Sequence, residues 1–406
     1  MILQSTLEQV ISQQKARLEN LDSGLSRELL PEMQSLPSHA LIISGIRRCG
    51  KSTLMLQMMK KIKNDSILYL NFESPLLYDF SFNDFSRLDA IIEKQQTRIL
   101  FLDEVQLIDK WEIYARQKLD EGIKVIVTGS NAALLSMELG SKLTGRHITR
   151  ELFPFSFREY LKFKKLKPSE ETLNQYLSKG GFPEYLKTED EQQLTTLFDD
   201  IIMRDIVARY GVKDIKSLQR LAVFLITNIS NRITATKLKQ PLSIGATSTI
   251  LTWFSHLELS YLFAFVPMFS HSTKAQLINP KKVYAIDPGM LECISPKPNQ
   301  NKGRKLENLI FLHLRRKYKE IYYLDHKGNG ECDFLAFKHG TVQEIIQVCH
   351  ELTPDNLERE IKGLTEAMDF LDFHDGLIVT HSQKDKIIHN EIEIEVIPAY
   401  EYLMRD

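Results

Sequence analysis

The feature that most restricts the fold is the run Gly45-Ile46-Arg47-Arg48-Cys49-Gly50-Lys51-Ser52, set between an apolar stretch at 41–45 and a helical pattern over Thr53–Ile62. It satisfies G-x-x-x-x-G-K-[ST], and a strand before it with a helix after it is the context in which that pattern forms a phosphate-binding loop. The glycines let the backbone curl so that successive N–H groups and the helix amino end face one point, where the dipole favours an anion. Gly45, Ile46, Arg47, Arg48, Cys49, Gly50, Lys51, Ser52 and Thr53 are therefore expected to cradle nucleotide phosphates. Lys51 would reach the β- and γ-phosphates and Ser52 a magnesium ion. The alternative is a glycine-rich structural turn.

Around the loop, β-branched runs alternate with helical stretches, the pattern of a parallel sheet, with strands expected at 41–45, 66–72, 98–103, 124–129 and 147–151. Unbroken apolarity in Ile99-Leu100-Phe101-Leu102 and Val125-Ile126-Val127 suits strands covered on both faces. Asp103 ends a buried strand expected beside that of the loop, where a carboxylate holds magnesium through its water shell. Glu104 follows it, and a carboxylate leaving the strand end there can polarise a water in line with the γ-phosphate. A solvated strand end is the competing reading of this pair. In Thr128-Gly129-Ser130-Asn131, Ser130 or Asn131 is expected near the γ-phosphate, against the alternative of a strand-to-helix turn with an N-cap.

The chain has 406 residues, enough for two or three domains, and 43% hydrophobic with 26% charged residues excludes wholesale disorder. A formal charge of −1 supplies no global field for nucleic acid or an anionic membrane. Cys49, Cys293, Cys332 and Cys349 form no C-x-x-C pair, which fits a reducing compartment. No signal peptide and no apolar run of membrane-spanning length is present, so a soluble cytoplasmic protein without a membrane partner is expected. Three domains are read: 1–155 with a helical lead-in over 1–35, 156–290, and 301–406. The second is helical to about 230, with a turn at Gly180-Gly181-Phe182-Pro183. It then runs Ser217–Ile229, Thr234–Lys239 and Ala246–Leu259 as helices and Tyr261–Val266 and Lys282–Ile286 as strands, the order of a winged helix-turn-helix. A turn at Asp287-Pro288-Gly289 and a linker over 295–301 lead to helix 303–319, strands near 320–325, 332–337 and 342–349, helix 355–372 and strand 376–381.

Taken in order, Gly45 to Thr53, Leu102-Asp103-Glu104-Val105-Gln106, Thr128 to Asn131, Leu143-Thr144-Gly145-Arg146, Pro154-Phe155-Ser156-Phe157, Gly180-Gly181-Phe182-Pro183-Glu184, Lys282 to Gly289 and Leu306-Glu307-Asn308 resemble the AAA+-like P-loop ATPases. The resemblance is to the prokaryotic family that joins such a core to a winged helix and a C-terminal nuclease-like domain. It implies an α/β fold: a P-loop ATPase core with a parallel sheet, a helical and winged-helix domain, and a C-terminal α/β restriction-endonuclease-like domain. It also implies ATP as ligand with Mg2+, and hydrolysis of that ATP. An arginine from the same chain or a neighbour is expected to stabilise charge on the transferred phosphoryl group. Arg146 is the first candidate, with Arg204 and Arg209 behind it, so that Glu104, Lys51 and Arg146 form the expected catalytic set.

Glu307 on a helix, Asp333 opening a strand and Gln347-Val348-Cys349 ending the next resemble the PD-(D/E)xK nuclease fold. Gln347 binds magnesium poorly and Cys349 carries no fixed positive charge, so the module is read as inactive, with Lys338 the remaining source of a lysine. Residues 301–406 hold 14 Lys and Arg against 20 Asp and Glu, a field that repels DNA. In the winged helix, residues 217–287, the recognition helix over 246–258 has no Lys or Arg, leaving Lys237, Lys239, Lys274, Lys281 and Lys282 for contacts to a DNA backbone. Trp253 and Phe254 are read as core. Three classes stay open: an ATPase, an ATP-regulated DNA-binding protein, and a nucleotide-dependent switch for a protein partner, with a homo-oligomer compatible with each.

Overall fold

The computed structural model describes residues 1–33, 38–62, 66–132, 143, 145–295, 302–325, 330–390 and 392–405. Thr144 and positions 296–301 of the expected linker lie outside the described residues. The chain divides into two compact units, Met1–Phe153 and Pro154–Asp406.

In the first unit five strands, β1 Ala40–Ser44, β2 Ile67–Asn71, β3 Ile99–Asp103, β4 Lys124–Gly129 and β5 His147–Glu151, form a parallel sheet in the order β2-β3-β4-β1-β5. Alternate strand residues Ala40, Ile42, Leu68, Leu70, Leu100, Leu102, Val125 and Val127 pack with Leu7, Val10 and Ile11 of helix Gln4–Glu19, Leu88 and Ile91 of helix Phe85–Gln95, and Trp111, Ala115 and Leu119 of helix Trp111–Asp120. The opposite set, Leu41, Ile43, Ile99, Phe101 and Ile126, is buried too, as are Leu54 and Met55 of helix Lys51–Lys61. Burial of both faces is why these strands read as unbroken apolar runs. The order corrects one expectation: β4, not β3, is the neighbour of β1, so Asp103 ends a strand one removed from the loop's. Within the lead-in, the helix covers only Gln4–Glu19, followed by a short turn of 3-10 helix at Leu30–Glu32.

In the second unit, helices Phe157–Lys164, Glu170–Lys179 and Gln192–Asp200 run into a π-helical stretch at Ile201–Ala208. Helix Ile215–Thr227, β6 Arg232–Ile233, helices Ala235–Leu238 and Thr247–Leu259, β7 Phe263–Pro267, helix Thr273–Ile278 and β8 Lys281–Ala285 follow, and the strands form an antiparallel sheet in the order β6-β8-β7. After helix Lys302–Lys317 come β9 Glu320–Asp325, β10 Glu331–Lys338, β11 Thr341–Cys349, helix Leu357–Leu371, β12 Gly376–Thr380, β13 Asp385–His389 and β14 Ile392–Pro398. They build a six-stranded mixed sheet, β13-β14-β12-β11-β10-β9. The small sheet meets the large one where the Phe269 N–H donates to the Tyr323 carbonyl at 2.7 Å, just past β7 and on β9.

Two of the turn motifs explain each other. Asp287 is buried, and its carboxylate accepts the N–H groups of Gly181 at 2.7 Å and Met290 at 3.0 Å. A side chain at Gly289 would overlap the Lys179 carbonyl, so the two turns close on one another only with glycine there. Burial, opposed by the N–H groups of Gly181, Met290 and Gly289, pushes the Asp287 carboxyl from its ordinary 3.8 up to about 6. Between those values the folded chain holds a proton that the unfolded chain releases, so stability falls as pH rises from about 4 to 6 and is flat above. At about 1.4 kcal/mol per pH unit the loss is about 3 kcal/mol. In urea melts, the stability of the wild type relative to Asp287→Asn should drop by about that amount between pH 4 and 6.5; a difference independent of pH contradicts the assignment.

Candidate functional site

The glycine-bounded loop leaves the carboxyl end of β1, and its conformation is set from several sides. The Gly45 N–H donates to the Gly129 carbonyl at 3.3 Å, and a side chain at Gly45 would overlap the Leu152 carbonyl oxygen. Gly50, with φ +101°, turns the chain into the helix, which begins at Lys51. Beneath the loop, the buried Arg27 guanidinium donates to the carbonyls of Cys49 at 2.8 Å and Phe153 at 2.7 Å. Cys49 is buried there, and burial pushes its thiol up, away from nucleophilic use. Arg47 pairs with Glu73 at 3.1 Å on the rim, while Arg48 and Thr53 are exposed.

Lys51 is 4% exposed, and its ammonium donates to the loop's own Gly45 and Ile46 carbonyls at 3.1 and 3.3 Å and stands 3.4 Å from Glu104. Glu104 occupies the left-handed region at φ +55°, a conformation that costs a non-glycine residue energy and persists where the surroundings impose it. Its N–H donates to Thr128 Oγ1 at 3.0 Å, and Gln106 Nε2 donates to its carboxylate at 2.5 Å and to Ser130 Oγ at 3.3 Å. Burial alone would raise the Glu104 carboxyl, but Lys51, Gln106 and Arg47 outweigh it and hold the group below the ordinary carboxylate range. Burial likewise opposes the charge on Lys51, and Glu104, with Cys49 and Asp103, more than restores it. The pair is therefore an ammonium and a carboxylate.

Asp103 is fully buried and accepts hydrogen bonds from Tyr69 Oη at 2.7 Å, Asn71 Nδ2 at 2.8 Å and the Thr128 hydroxyl. These donors are neutral, so none of them brings a positive charge that would compete with a cation. With the half-buried Ser52 on the first turn of the loop helix, it makes a donor set of the hard-oxygen kind that magnesium takes. The residues present fit a magnesium nucleotide: loop N–H groups and Lys51 for phosphate, Ser52 and Asp103 for the ion. Ser130 and Asn131 are buried at the carboxyl end of β4, where the Ser44 hydroxyl donates to the Asn131 carbonyl at 3.1 Å. The parallel sheet thus collects Lys51, Asp103, Glu104 and Ser130 at one edge, where open α/β sheets bind ligands.

Arg146 is not among them. It precedes β5 at the amino edge of the sheet, pairing with Asp120 at 2.5 Å and donating to the Ser38 carbonyl at 3.0 Å. Since β1 and β5 run parallel with Ala40 opposite His147, a strand of about 16 Å separates Arg146 from the loop, which corrects its assignment as a catalytic residue of its own chain. Arg204 and Arg209 belong to the second unit, where Arg204 lies 3.8 Å from Asp200. Arg27, Tyr69, Asn71, Gln106 and Thr128 were not anticipated. Thr128 shares the strand face of Ser130 and Gln106 follows Glu104 by two, so both were within reach of the motifs; Arg27 and Tyr69 carry no local signal.

A second constellation lies in the second unit. Lys282, on β8, is 2% exposed, and its ammonium reaches Glu331 at 2.7 Å, Asp333 at 2.7 Å and Glu307 at 3.0 Å. The expectation that Lys282, flanking the wing, is available for contacts to a DNA backbone is thereby corrected. The Tyr284 hydroxyl donates to Glu307 at 2.7 Å, and the Val348 N–H to the second oxygen of Asp333 at 2.9 Å. Gln347 accepts the Asp333 N–H at 3.2 Å and donates to the buried Glu360 at 2.6 Å, so a glutamate there would face a like charge. The Cys349 thiol, pushed up to about 11 mainly by burial, lies against the Glu351 carbonyl at 3.0 Å. Lys338 is exposed at the far end of β10 from Asp333 and does not supply the lysine. Among the described residues, Lys237, Lys239 and Lys274 are exposed, Trp253 and Phe254 are buried, and no helix is long and apolar enough to cross a membrane.

Comparison with known proteins gives a match to an AAA domain over residues 37–161 and to a domain of unknown function over 170–301. An uncharacterized protein of Methanocaldococcus jannaschii is 32% identical over 98% of this chain and 96% of its own length. An uncharacterized protein of Haemophilus influenzae is 30% identical over 90% of this chain and 94% of its own. A solved chain from "Structure of Drosophila ORC bound to AT-rich DNA and Cdc6" aligns over 65% of this chain and 86% of its own at 10% identity, with a TM-score of 0.20, too low to support any inference.

Proposed function

As this chain belongs to an AAA+-like P-loop ATPase family, we propose that it binds ATP with magnesium at the loop of residues 45–53 and hydrolyses it. The observation that carries this reading is the meeting of Lys51 with Glu104 beside Asp103 at the loop's edge of the sheet. In this reading the loop N–H groups take the β- and γ-phosphates, and Lys51 exchanges its two loop carbonyls and Glu104 for phosphate oxygens. Glu104, released from Lys51 and oriented by Gln106, accepts a proton from the attacking water. Ser52 and Asp103 would hold the magnesium ion, which would supply charge neutralisation at the phosphates. After phosphate leaves, Lys51 returns to Glu104. Because Gln106 binds Glu104 and Ser130 together, nucleotide state is passed to the end of β4, which suits Ser130 and Asn131 as the polar groups that report it. Phosphate release by the intact chain, saturable in ATP and dependent on magnesium, tests the reading.

The helix, strand, helix, helix and hairpin order over 215–285 supports a winged helix, and the helix, three strands, helix and strand from 302 to 380 support a nuclease-like module without its chemistry. We read both as parts that respond to the nucleotide or contact a protein partner. Lys282 and Arg232, which a DNA-binding wing would turn outward, pair instead with carboxylates. Fluorescence anisotropy with duplex DNA should show weak binding without the steep salt dependence of multiple phosphate contacts; nanomolar affinity with a steep salt slope would establish the DNA-directed alternative.

A further inference from the structure

We propose that Lys282 is a tethered cation that fills the carboxylate cage of the large sheet in the place of a divalent metal ion, and that withdrawing it converts the cage into a metal site. The cage is built from Glu307 on helix Lys302–Lys317 and from Glu331 and Asp333 on β10, whereas the cation arrives from a different sheet, on β8. Its three carboxylate contacts, at 2.7, 2.7 and 3.0 Å, match the three donors of an ammonium. They are charge-assisted hydrogen-bond lengths, longer than the roughly 2.0–2.6 Å at which oxygen ligands hold magnesium or calcium. A solvated surface lysine would not be 2% exposed. Arg232, also from the small sheet, adds a second positive charge at the rim by pairing with Glu331 and Asp325.

Asp333 is buried and Glu307 and Glu331 partly so, and three carboxylates converging on one buried ammonium favour a cation between them, since unpaired buried charges are expensive. A metal ion there would exchange with solvent, whereas the ammonium is fixed to the chain. It therefore does two things at once: it satisfies the cage without metal, and it latches the small sheet onto the large one. Burial works against its charge, but Asp333, Glu307 and Glu331 together keep it protonated far above the ordinary lysine range. Gln347, beside Asp333, completes the arrangement with a neutral amide where a further carboxylate would overcharge the cage. None of this depends on the nucleotide site.

The test is a Mn2+ titration of the full-length chain without nucleotide, with free ion followed by electron paramagnetic resonance. Lys282→Ala should bind one Mn2+ per chain more than the wild type, at least tenfold more tightly than the wild type binds Mn2+ through these residues. The added ion should be lost in Lys282→Ala with Asp333→Asn, and Lys282→Arg should behave as wild type. A folded Lys282→Ala chain with no added ion overturns the proposal, as does a wild-type Mn2+ site that Asp333→Asn alone abolishes. Should Lys282→Ala unfold in metal-free buffer, Mn2+ is expected to restore its melting transition, and failure to do so also overturns it.

Discussion

Replacing Lys51 with alanine is expected to abolish measurable ATP binding, weakening it by about 100-fold or more. Each charge-assisted hydrogen bond from the ammonium to phosphate contributes about 1.5–3 kcal/mol, so the loss of two suffices. The substitution also leaves Glu104 buried opposite no ammonium, and deleting one partner of a buried pair costs about 3–5 kcal/mol. Those two effects separate in a melting experiment. The apo variant should melt below the apo wild type, and saturating magnesium ATP should stabilise the wild type by about 2.7 kcal/mol at 100 times Kd while leaving the variant unmoved. An equal ligand-induced shift in both chains would remove Lys51 from the site.

Glu104→Gln is expected to lower phosphate release by about 10²- to 10⁴-fold, the usual contribution of a positioned general base. Binding should survive the change and even tighten. The neutral amide no longer holds Lys51 back from the phosphates, while Thr128 Oγ1 still accepts the N–H of residue 104 and Gln106 Nε2 can still donate to the side-chain oxygen there. Single-turnover measurement of bound nucleotide isolates the chemical step from product release. Turnover within a few fold of wild type would refute Glu104 as the base and shift attention to water ordered by Ser130 or Asn131.

The sheet strands were readable to within two residues because burial on both faces forces unbroken apolar runs such as Leu100 to Leu102 and Val125 to Val127. The loop was readable because its glycines meet a backbone requirement, most clearly at Gly45, where Leu152 leaves no room for a side chain. The position of β4 between β1 and β3 was not readable, since strand order is decided by packing and leaves no periodic trace. Arg146 misled for the same reason: a motif names a residue without saying at which end of a strand it stands. The two-residue β6 is too short for alternation to register, whereas β13 and β14 were missed although Ile392, Ile394 and Val396 alternate with Glu393 and Glu395. Lys282 was the largest miss. Beside Lys281 it looks like surface charge, and only the arrival of Glu307, Glu331 and Asp333 from distant sequence makes its burial stable.

The central claim is that a magnesium nucleoside triphosphate occupies the loop of residues 45–53. Isothermal titration of magnesium ATP into the intact chain measures this most directly. The expected result is saturable uptake of one nucleotide per chain that disappears in Lys51→Ala; a wild-type chain that takes up no triphosphate in excess magnesium would contradict it.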